Sequence, residues 1–236
     1  MLKKKGLIDI KIITFTSILH LILHRKDIKA LKEQLANDNV VLMNFPILFY
    51  PSKHFIVHWY LYPYFLINVF PYMLYLGFKD LFMSQECIYT IRSYMGALAF
   101  LKLYPKKNHL FFDPRTDWII ENLNIGRFKK DSLTHQLWLK WEKEMLTRYA
   151  KTIFISDVFR DDIIKRHSLT NDLNKYVVLY NPIDYSLFDS IRSCLPKKDF
   201  LYTGSLGNWN NIRIYLDFFL AVYKEFPGAR FRILTS

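Results

Sequence analysis

Apolar runs of strand length alternate along this chain with stretches in which apolar residues recur at helical spacing. The strand candidates are short, apolar and bounded by polar or turn-forming residues, and they lie at Ile10–Thr16, Val40–Phe45, Asp80–Ser84, His109–Asp113, Thr152–Ile155, Tyr176–Tyr180, Phe200–Thr203 and Arg230–Leu234. The helical patterns between them cover Asp27–Ala36, Ile88–Leu103, Ser132–Tyr149 and Asp157–Arg166. Ser132 and Ser156 are predicted N-caps. This alternation predicts an α/β fold with a doubly wound parallel sheet and helices on both faces.

Polar clusters follow several of the predicted strands. Ligands of parallel sheets bind beyond the carboxyl ends of the strands, so these clusters are where a site is expected. They begin at Asp113, Ser156, Asn181 and Gly204.

The chain divides near a polar linker at Asp189–Asp199. We therefore expect a domain over residues 1–190. Residues 191–236 then hold the linker and a strand, glycine turn, helix and strand, which make one βαβ unit of a second domain.

The segment Phe55–Phe78 contains no Asp, Glu, Lys or Arg and is long enough to span a bilayer. Pro63, Pro71 and a high share of Tyr and Trp argue against spanning, because such rings prefer the membrane interface. The pattern favours a helical hairpin that is buried or touches a membrane, with a span as the alternative.

The net charge of +12, from 33 Lys and Arg against 21 Asp and Glu, favours anionic partners such as nucleotides, acidic lipid headgroups or nucleic acid. The absence of clustered Arg and Lys runs and of a reader motif argues against nucleic acid. Cys87 and Cys194 form no paired motif, which fits a reducing cytosol.

The loop that begins at Phe111 groups Asp113, Arg115 and Glu121 directly after a predicted strand. A carboxylate there can accept a hydrogen bond from a sugar hydroxyl, and Arg115 can pair with a phosphate or carboxylate. The alternative is a charge-paired loop in which Asp113 or Glu121 satisfies Arg115.

Two other groups of residues are weaker candidates for a functional site. The charges of Trp138–Glu144 alternate as on a solvated helix face, although a glutamate there could face a cleft. The pairs His20/His24 and His54/His58 have metal-binding spacing, but neither has the accompanying glutamate or an evident third ligand, so no metal site is expected.

Four motifs in order resemble the GT-B glycosyltransferases of family 4. They read FFDPRTDWIIEN from Phe111, WLKWEKEMLTRYAKTIFISD from Trp138, VVLYNPIDYSLF from Val177 and FLYTGSLGNWNNI from Phe200. The resemblance covers roughly residues 80–236 and implies two Rossmann-like domains that face each other across a cleft. It identifies 1–190 as the acceptor-side domain and 191–236 as the start of the nucleotide-sugar domain. By this resemblance the protein would be truncated at its C-terminus and inactive by itself.

The resemblance implies a retaining transferase that needs no metal or other cofactor. Its donor would be a nucleotide-sugar, and its acceptor a lipid-linked saccharide or an oligosaccharide in surface polysaccharide synthesis. The enzyme would work in the cytoplasm, peripheral on the anionic inner face of the cell membrane. The alternative is a non-catalytic membrane-surface or scaffold protein with a decayed transferase fold.

By this resemblance Asp113, Arg115 and Glu121 are the catalytic candidates on the acceptor side. The donor diphosphate would lie over a glycine turn whose free backbone N–H groups favour an anion. The residues assigned to donor binding are Gly204, Ser205, Asn210 and Arg213. Ser205 and Asn210 stand where many relatives carry Arg and Lys, so positive charge would come from Arg213 or from residues missing from this sequence.

Overall fold

The computed structural model describes residues 10–38, 40–48, 59–82, 87–104, 109–181, 199–204, 206 and 212–235. The strands are β1 Lys11–Ser17, β2 Val41–Ile47, β3 Tyr89–Ile91, β4 Leu110–Phe112, β5 Lys151–Phe154, β6 Tyr176–Val178, β7 Asp199–Thr203 and β8 Arg230–Leu234. The helices are α1 Ile18–Leu23, α2 Arg25–Asn37, α3 Tyr62–Phe82, α4 Tyr94–Leu103, α5 Trp118–Asn124, α6 Leu133–Arg148, α7 Asp157–Arg166 and α8 Ile212–Glu225.

Every strand pairing in the described residues is parallel, which confirms the α/β class with parallel sheets. One sheet has four strands in the order β3-β4-β5-β6, and two further sheets pair β1 with β2 and β7 with β8. The four strands follow chain order, and the right-handed crossovers that parallel strands favour would place α4, α5–α6 and α7 on one face of that sheet. The strand-order reversal of a doubly wound sheet is not seen among the described residues, and double winding stays a prediction.

One predicted strand is wrong. Residues 80–82 of the predicted strand Asp80–Ser84 belong to helix α3, and Met83 and Ser84 lie outside the described residues. The strand of this region is β3, within the stretch predicted as the helix Ile88–Leu103. Helix α4 begins only after Ser93, whose hydroxyl accepts from the Gly96 N–H and caps the helix.

The predicted helical hairpin is a single helix in its described part, because α3 runs unbroken past Pro71. Pro63 lies in its first turn, where proline costs no intrahelical hydrogen bond. No helix in the described part of the chain is long and apolar enough to cross a membrane.

The core lies where the four-stranded sheet meets its helices. Its largest fully buried side chains include Trp138 of α6, Phe112 of β4 and Phe154 of β5. Trp138 is enclosed by other rings, with its centroid 4.4 Å from that of Trp118 and 5.0 Å from that of Trp141. The contact between Trp118 and Trp138 packs α5 against α6. Two of the helices, α6 and α7, are capped by Ser132 and Ser156 as predicted.

The two-stranded units are each covered by a helix. Phe45 of β2 stacks on Tyr72 of α3 with ring centroids 4.7 Å apart, and Phe15 of β1 lies 6.1 Å from the same ring. In the last unit Phe231 of β8 stacks on Phe219 of α8 at 5.0 Å. The aromatic residues of these segments therefore hold helix to sheet.

Candidate functional site

Side chains that follow three different strands meet at the carboxyl edge of the four-stranded sheet. Arg92 follows β3, Asp113 and Arg115 follow β4, and Asn181 lies three residues beyond the end of β6. We call these four residues the carboxyl-edge cluster. Strands of a parallel sheet end on the same side, so residues far apart in sequence converge there.

Asp113 is the centre of the cluster. It is only 3% exposed, and its backbone N–H donates to the Ile91 carbonyl at 2.9 Å, which continues the β3–β4 ladder. Its Oδ2 accepts from Arg92 Nε at 3.3 Å and from Arg115 Nε at 3.1 Å. Its Oδ1 lies 3.0 Å from the same Arg115 nitrogen but accepts no hydrogen bond from the described residues. Two guanidiniums on one carboxylate leave a net positive charge at this edge.

The two arginines have different surroundings. Arg115 is 35% exposed, and its Nη1 also donates to the amide oxygen of Asn181 at 2.8 Å. The Arg92 side chain is 70% exposed. Its bond to Asp113 is made by Nε, so the two terminal Nη nitrogens take no part in that bond. A guanidinium of this kind can pair with a phosphate or carboxylate through two parallel N–H groups.

A second contact joins neighbouring strand ends. The Tyr180 hydroxyl after β6 donates to the carboxylate of Asp157, the first residue of α7 after β5. This bond raises the pKa of Tyr180. Asp157 also pairs with Arg160 at 2.9 Å. The residues after β6 thus contact two other strand ends: Asn181 contacts Arg115 after β4, and Tyr180 contacts Asp157 after β5.

The third catalytic candidate, Glu121, lies apart from these contacts. It is exposed in the first turn of α5, where it accepts a hydrogen bond from Thr116 Oγ1 at 3.1 Å. The structure therefore brings Asp113 and Arg115 into contact, whereas the Glu121 carboxylate bonds to Thr116 instead. Of the two charge pairs considered for Arg115, the one with Asp113 is present.

The predicted donor residues fall in the last unit. Gly204 follows β7 with φ of +157°, and its N–H donates to the Leu234 carbonyl at 3.1 Å, so this N–H is used by β8. Arg213 is exposed in the first turn of α8. Ser205 and Asn210 lie outside the described residues.

A buried polar network lies below the carboxyl edge. The Glu142 side chain of α6 is fully buried, although the sequence favoured a solvated face for this part of the helix. It accepts from the Tyr94 hydroxyl at 2.6 Å and from Arg166 Nη1 at 3.2 Å, and His167 Nε2 lies 2.5 Å from it. The predicted solvated face is correct for Glu144, which pairs with Lys102 and Arg148 at the surface.

Burial and electrostatics act together in this network. Burial, and then the nearby Glu142 carboxylate, raise the pKa of Tyr94 well above its ordinary value, so its hydroxyl stays protonated as a donor. Burial alone would lower the pKa of Arg166, but its bonds to Asp117 and Glu142 outweigh that and raise it. Arg166 is therefore a permanent cation between two carboxylates.

Arg166 connects the network to the candidate site. Its guanidinium donates to both carboxylate oxygens of Asp117, and the Asp117 side chain also caps α5 by accepting from the Ile120 N–H at 3.2 Å. Asp117 ends the short loop that carries Asp113 and Arg115. The buried Glu142 thus helps to hold this loop in place through Arg166.

Sequence reasoning missed Arg92, Tyr94, Arg166 and His167. Arg92 was hidden because its stretch was predicted as helix, although the β-branched Thr90 and Ile91 before a capping Ser93 signal a strand end. Tyr94 and His167 lie 48 and 25 residues from Glu142 in sequence, and no local pattern joins them.

One of the two histidine pairs lies in the described part of the chain. His20 and His24 lie together at α1 with ring centroids 4.2 Å apart, and His24 contacts Asp27 at 3.3 Å. Within the described ranges, no group of three or more His, Cys, Asp or Glu side chains is arranged to hold a metal ion. His54 and His58 lie outside those ranges.

Comparison with known proteins adds no family assignment. No protein-family model matches the sequence, and a search of curated proteins finds no match.

Proposed function

We propose that this protein is a GT-B-type glycosyltransferase, and that its four-stranded sheet with α4–α7 is part of the Rossmann-like domain that binds the acceptor. In this proposal the transferase is of the retaining type, and it moves a sugar from a nucleotide-sugar to a lipid-linked or polysaccharide acceptor. It works at the inner face of the cell membrane as a peripheral protein.

The observation that carries the proposal is the convergence of Arg92, Asp113, Arg115 and Asn181 at the carboxyl ends of parallel strands. This is the edge at which α/β proteins bind ligands, and the four side chains supply amide and guanidinium donors around a buried carboxylate. Hydroxyl groups and phosphates, the two polar features of a lipid-linked saccharide, are what such groups recognise. The order of the sequence motifs supports the same assignment.

The cluster suggests a division of roles. Asp113 orients the two guanidiniums, since its Oδ2 accepts from both of them. Arg92, the more exposed of the two, binds an acceptor phosphate or stabilises the negative charge that develops on the leaving diphosphate. The Asp113 Oδ1 accepts no hydrogen bond but lies 3.0 Å from Arg115 Nε, and it accepts from an acceptor hydroxyl once Arg115 moves aside. Glu121 accepts from Thr116, the neighbour of Arg115, and its catalytic role stays a prediction.

The donor side of the proposal rests on the βαβ unit formed by β7, α8 and β8. The turn after Gly204 would approach the diphosphate, and Arg213 would supply positive charge near the start of α8. The Gly204 N–H itself already donates to the Leu234 carbonyl, so Gly204 would serve the diphosphate through its lack of a side chain rather than through its N–H.

The proposal is tested by calorimetric titration of the intact protein with a water-soluble, short prenyl diphosphate that carries one sugar. Arg92→Ala is expected to weaken binding about tenfold or more, because a charge-assisted hydrogen bond contributes about 1.5–3 kcal/mol. Lys129→Ala removes an exposed cation elsewhere and should leave the affinity unchanged. Equal affinities for wild type and Arg92→Ala would contradict the proposal.

A further inference from the structure

Helix α3 carries an apolar face that the other described residues do not cover. Six large side chains on it are between 43% and 85% exposed: Ile67, Phe70, Leu74, Tyr75, Phe78 and Phe82. Their spacing of three and four residues places them on one side of the helix. We call this set the α3 stripe.

The opposite side of α3 is fixed in the core. Phe65, Val69, Met73 and Leu76 are all buried, and Val69 is completely inaccessible. The helix is thus apolar on two sides, one facing the core and one facing outward. Since the buried side anchors the helix, the α3 stripe is held in a fixed orientation on the surface of the domain.

The composition of the α3 stripe points to a lipid interface. Four of its six residues are aromatic, and no Asp, Glu, Lys or Arg occurs between Tyr62 and Phe78. Aromatic rings prefer the boundary between headgroups and acyl chains. From Ile67 to Phe82 the stripe is about 22 Å long at about 1.5 Å per residue, so it would lie in the plane of a bilayer. The same helix is not apolar enough to cross one.

Charge favours an anionic surface as the occupant. The protein has a net charge of +12. Helix α2, which contacts β2 as α3 also does, exposes four cations, Arg25, Lys26, Lys29 and Lys32, against the two acids Asp27 and Glu33. Cations near a membrane that contains acidic lipids each add to binding, and a second copy of this positively charged protein would instead be repelled.

We propose that the α3 stripe is the surface through which this protein docks on a bilayer containing acidic phospholipids. The inference rests on the peripheral location put forward under the proposed function, and it names the face and residues that produce that location. Docking by this rigid helix would set one orientation of the domain on the membrane.

The test is flotation of the intact protein with vesicles of phosphatidylcholine and phosphatidylglycerol, and with phosphatidylcholine alone. The stripe variant is Ile67→Glu/Phe78→Glu, and the matched control is Val158→Glu/Leu173→Glu. The control changes two residues that are 72% and 63% exposed and lie in α7 and just before β6, whereas α3 packs against α4 after β3, at the other edge of the sheet. Circular dichroism and thermal unfolding confirm that each variant is folded.

Wild type and control are expected to float with the anionic vesicles. The stripe variant is expected to partition at least about tenfold less, since it loses two apolar side chains that enter the bilayer interface. Equal flotation of the stripe variant and wild type would overturn the α3 stripe as the docking face while leaving a peripheral location intact. A wild type that does not float would overturn both, and acceptor binding in solution would still test the transferase proposal separately.

Self-association gives a distinct result. If sedimentation shows a dimer in wild type that the stripe variant converts to a monomer, and flotation is unchanged, the stripe is an interface between two copies of the protein and the inference is wrong.

Discussion

Arg115 Nη1 donates to the Asn181 amide oxygen at 2.8 Å and so joins two strand-end loops that lie 66 residues apart in sequence. The bond is possible because β4 and β6 flank β5 in a parallel sheet and end on the same side. It turns two separate loops into one surface, with Asp113 buried beneath it.

The substitution Asn181→Ala should weaken ligand binding while leaving the stability of the fold nearly unchanged. Asn181 is exposed, so the free energy of unfolding should change by less than about 0.5 kcal/mol. Affinity for the prenyl diphosphate saccharide should fall, because Arg115 loses the contact that orients it. Chemical denaturation and calorimetry measure the two effects, with Asn124→Ala, an exposed asparagine of α5, as the control. A loss of stability without a loss of affinity would show that the bond is only structural.

Asp113→Asn should lower the stability of the fold. The asparagine keeps the shape of the side chain but removes the charge that both Arg92 and Arg115 contact, at a cost of about 1–3 kcal/mol. The matched control is Asp131→Asn, since Asp131 is 77% exposed and should tolerate the change. Urea unfolding compares the two variants, and equal midpoints would contradict the central role given to Asp113.

Two glutamates on α6 should differ sharply in their effect on stability. Glu142→Ala leaves the buried His167 and the partly buried Arg166 without their shared carboxylate, and breaking such a group costs about 3–5 kcal/mol. Glu144→Ala removes a surface partner of Lys102 and Arg148 and should cost about 0–1 kcal/mol. Both substitutions exchange glutamate for alanine within the same helix, so helix propensity is matched. Similar losses in urea unfolding would refute the buried network.

Alkaline pH should destabilise the protein through its buried tyrosines. The pKa of Tyr94 is raised well above its ordinary value near 10 by burial and by Glu142. Above a pH of about 10 the unfolded chain releases this proton and the folded chain keeps it, so the unfolded state binds fewer protons and stability falls as pH rises. Each such tyrosine contributes about 1.4 kcal/mol per pH unit up to its folded pKa.

Tyr94→Phe isolates one of these contributions. Between about pH 10 and 11 the stability of the variant should fall about 1 kcal/mol less than that of wild type, because the unfolded tyrosine is half ionised at its pKa near 10. Between about pH 7 and 9 the two curves should run parallel, because the tyrosine is protonated in both states. Urea unfolding across this range measures the difference, and parallel curves at the alkaline end would contradict the buried hydrogen bond.

The sequence predicted strands and helix caps correctly where the pattern of neighbouring residues determines them. β8 lies where the apolar run of Arg230–Leu234 predicted it, and Ser132 and Ser156 cap the helices they precede. The prediction was wrong at Asp80, which looked like the start of a strand but is buried near the end of α3. The Tyr89 and Tyr104 hydroxyls donate to its carboxylate there.

The candidate site was only partly predictable, because part of it depends on contacts between distant segments. Asp113 and Arg115 could be identified because they closely follow an apolar strand. Arg92 joins them through strand pairing between β3 and β4, and Glu142 is buried against Tyr94 of α4 and His167 after α7. Alternating charges along a helix do not reveal which glutamate points inward.

The central claim, that the acceptor binds at the carboxyl edge, is tested most directly by NMR chemical-shift mapping. The intact protein, labelled with ¹⁵N, is titrated with the prenyl diphosphate saccharide. We predict that the resonances of Arg92, Asp113, Arg115 and Asn181 shift together with a single saturation curve, while those of Lys129 and Leu173 stay in place. Saturating shifts confined to other parts of the protein, or no shifts at millimolar ligand, would contradict the account.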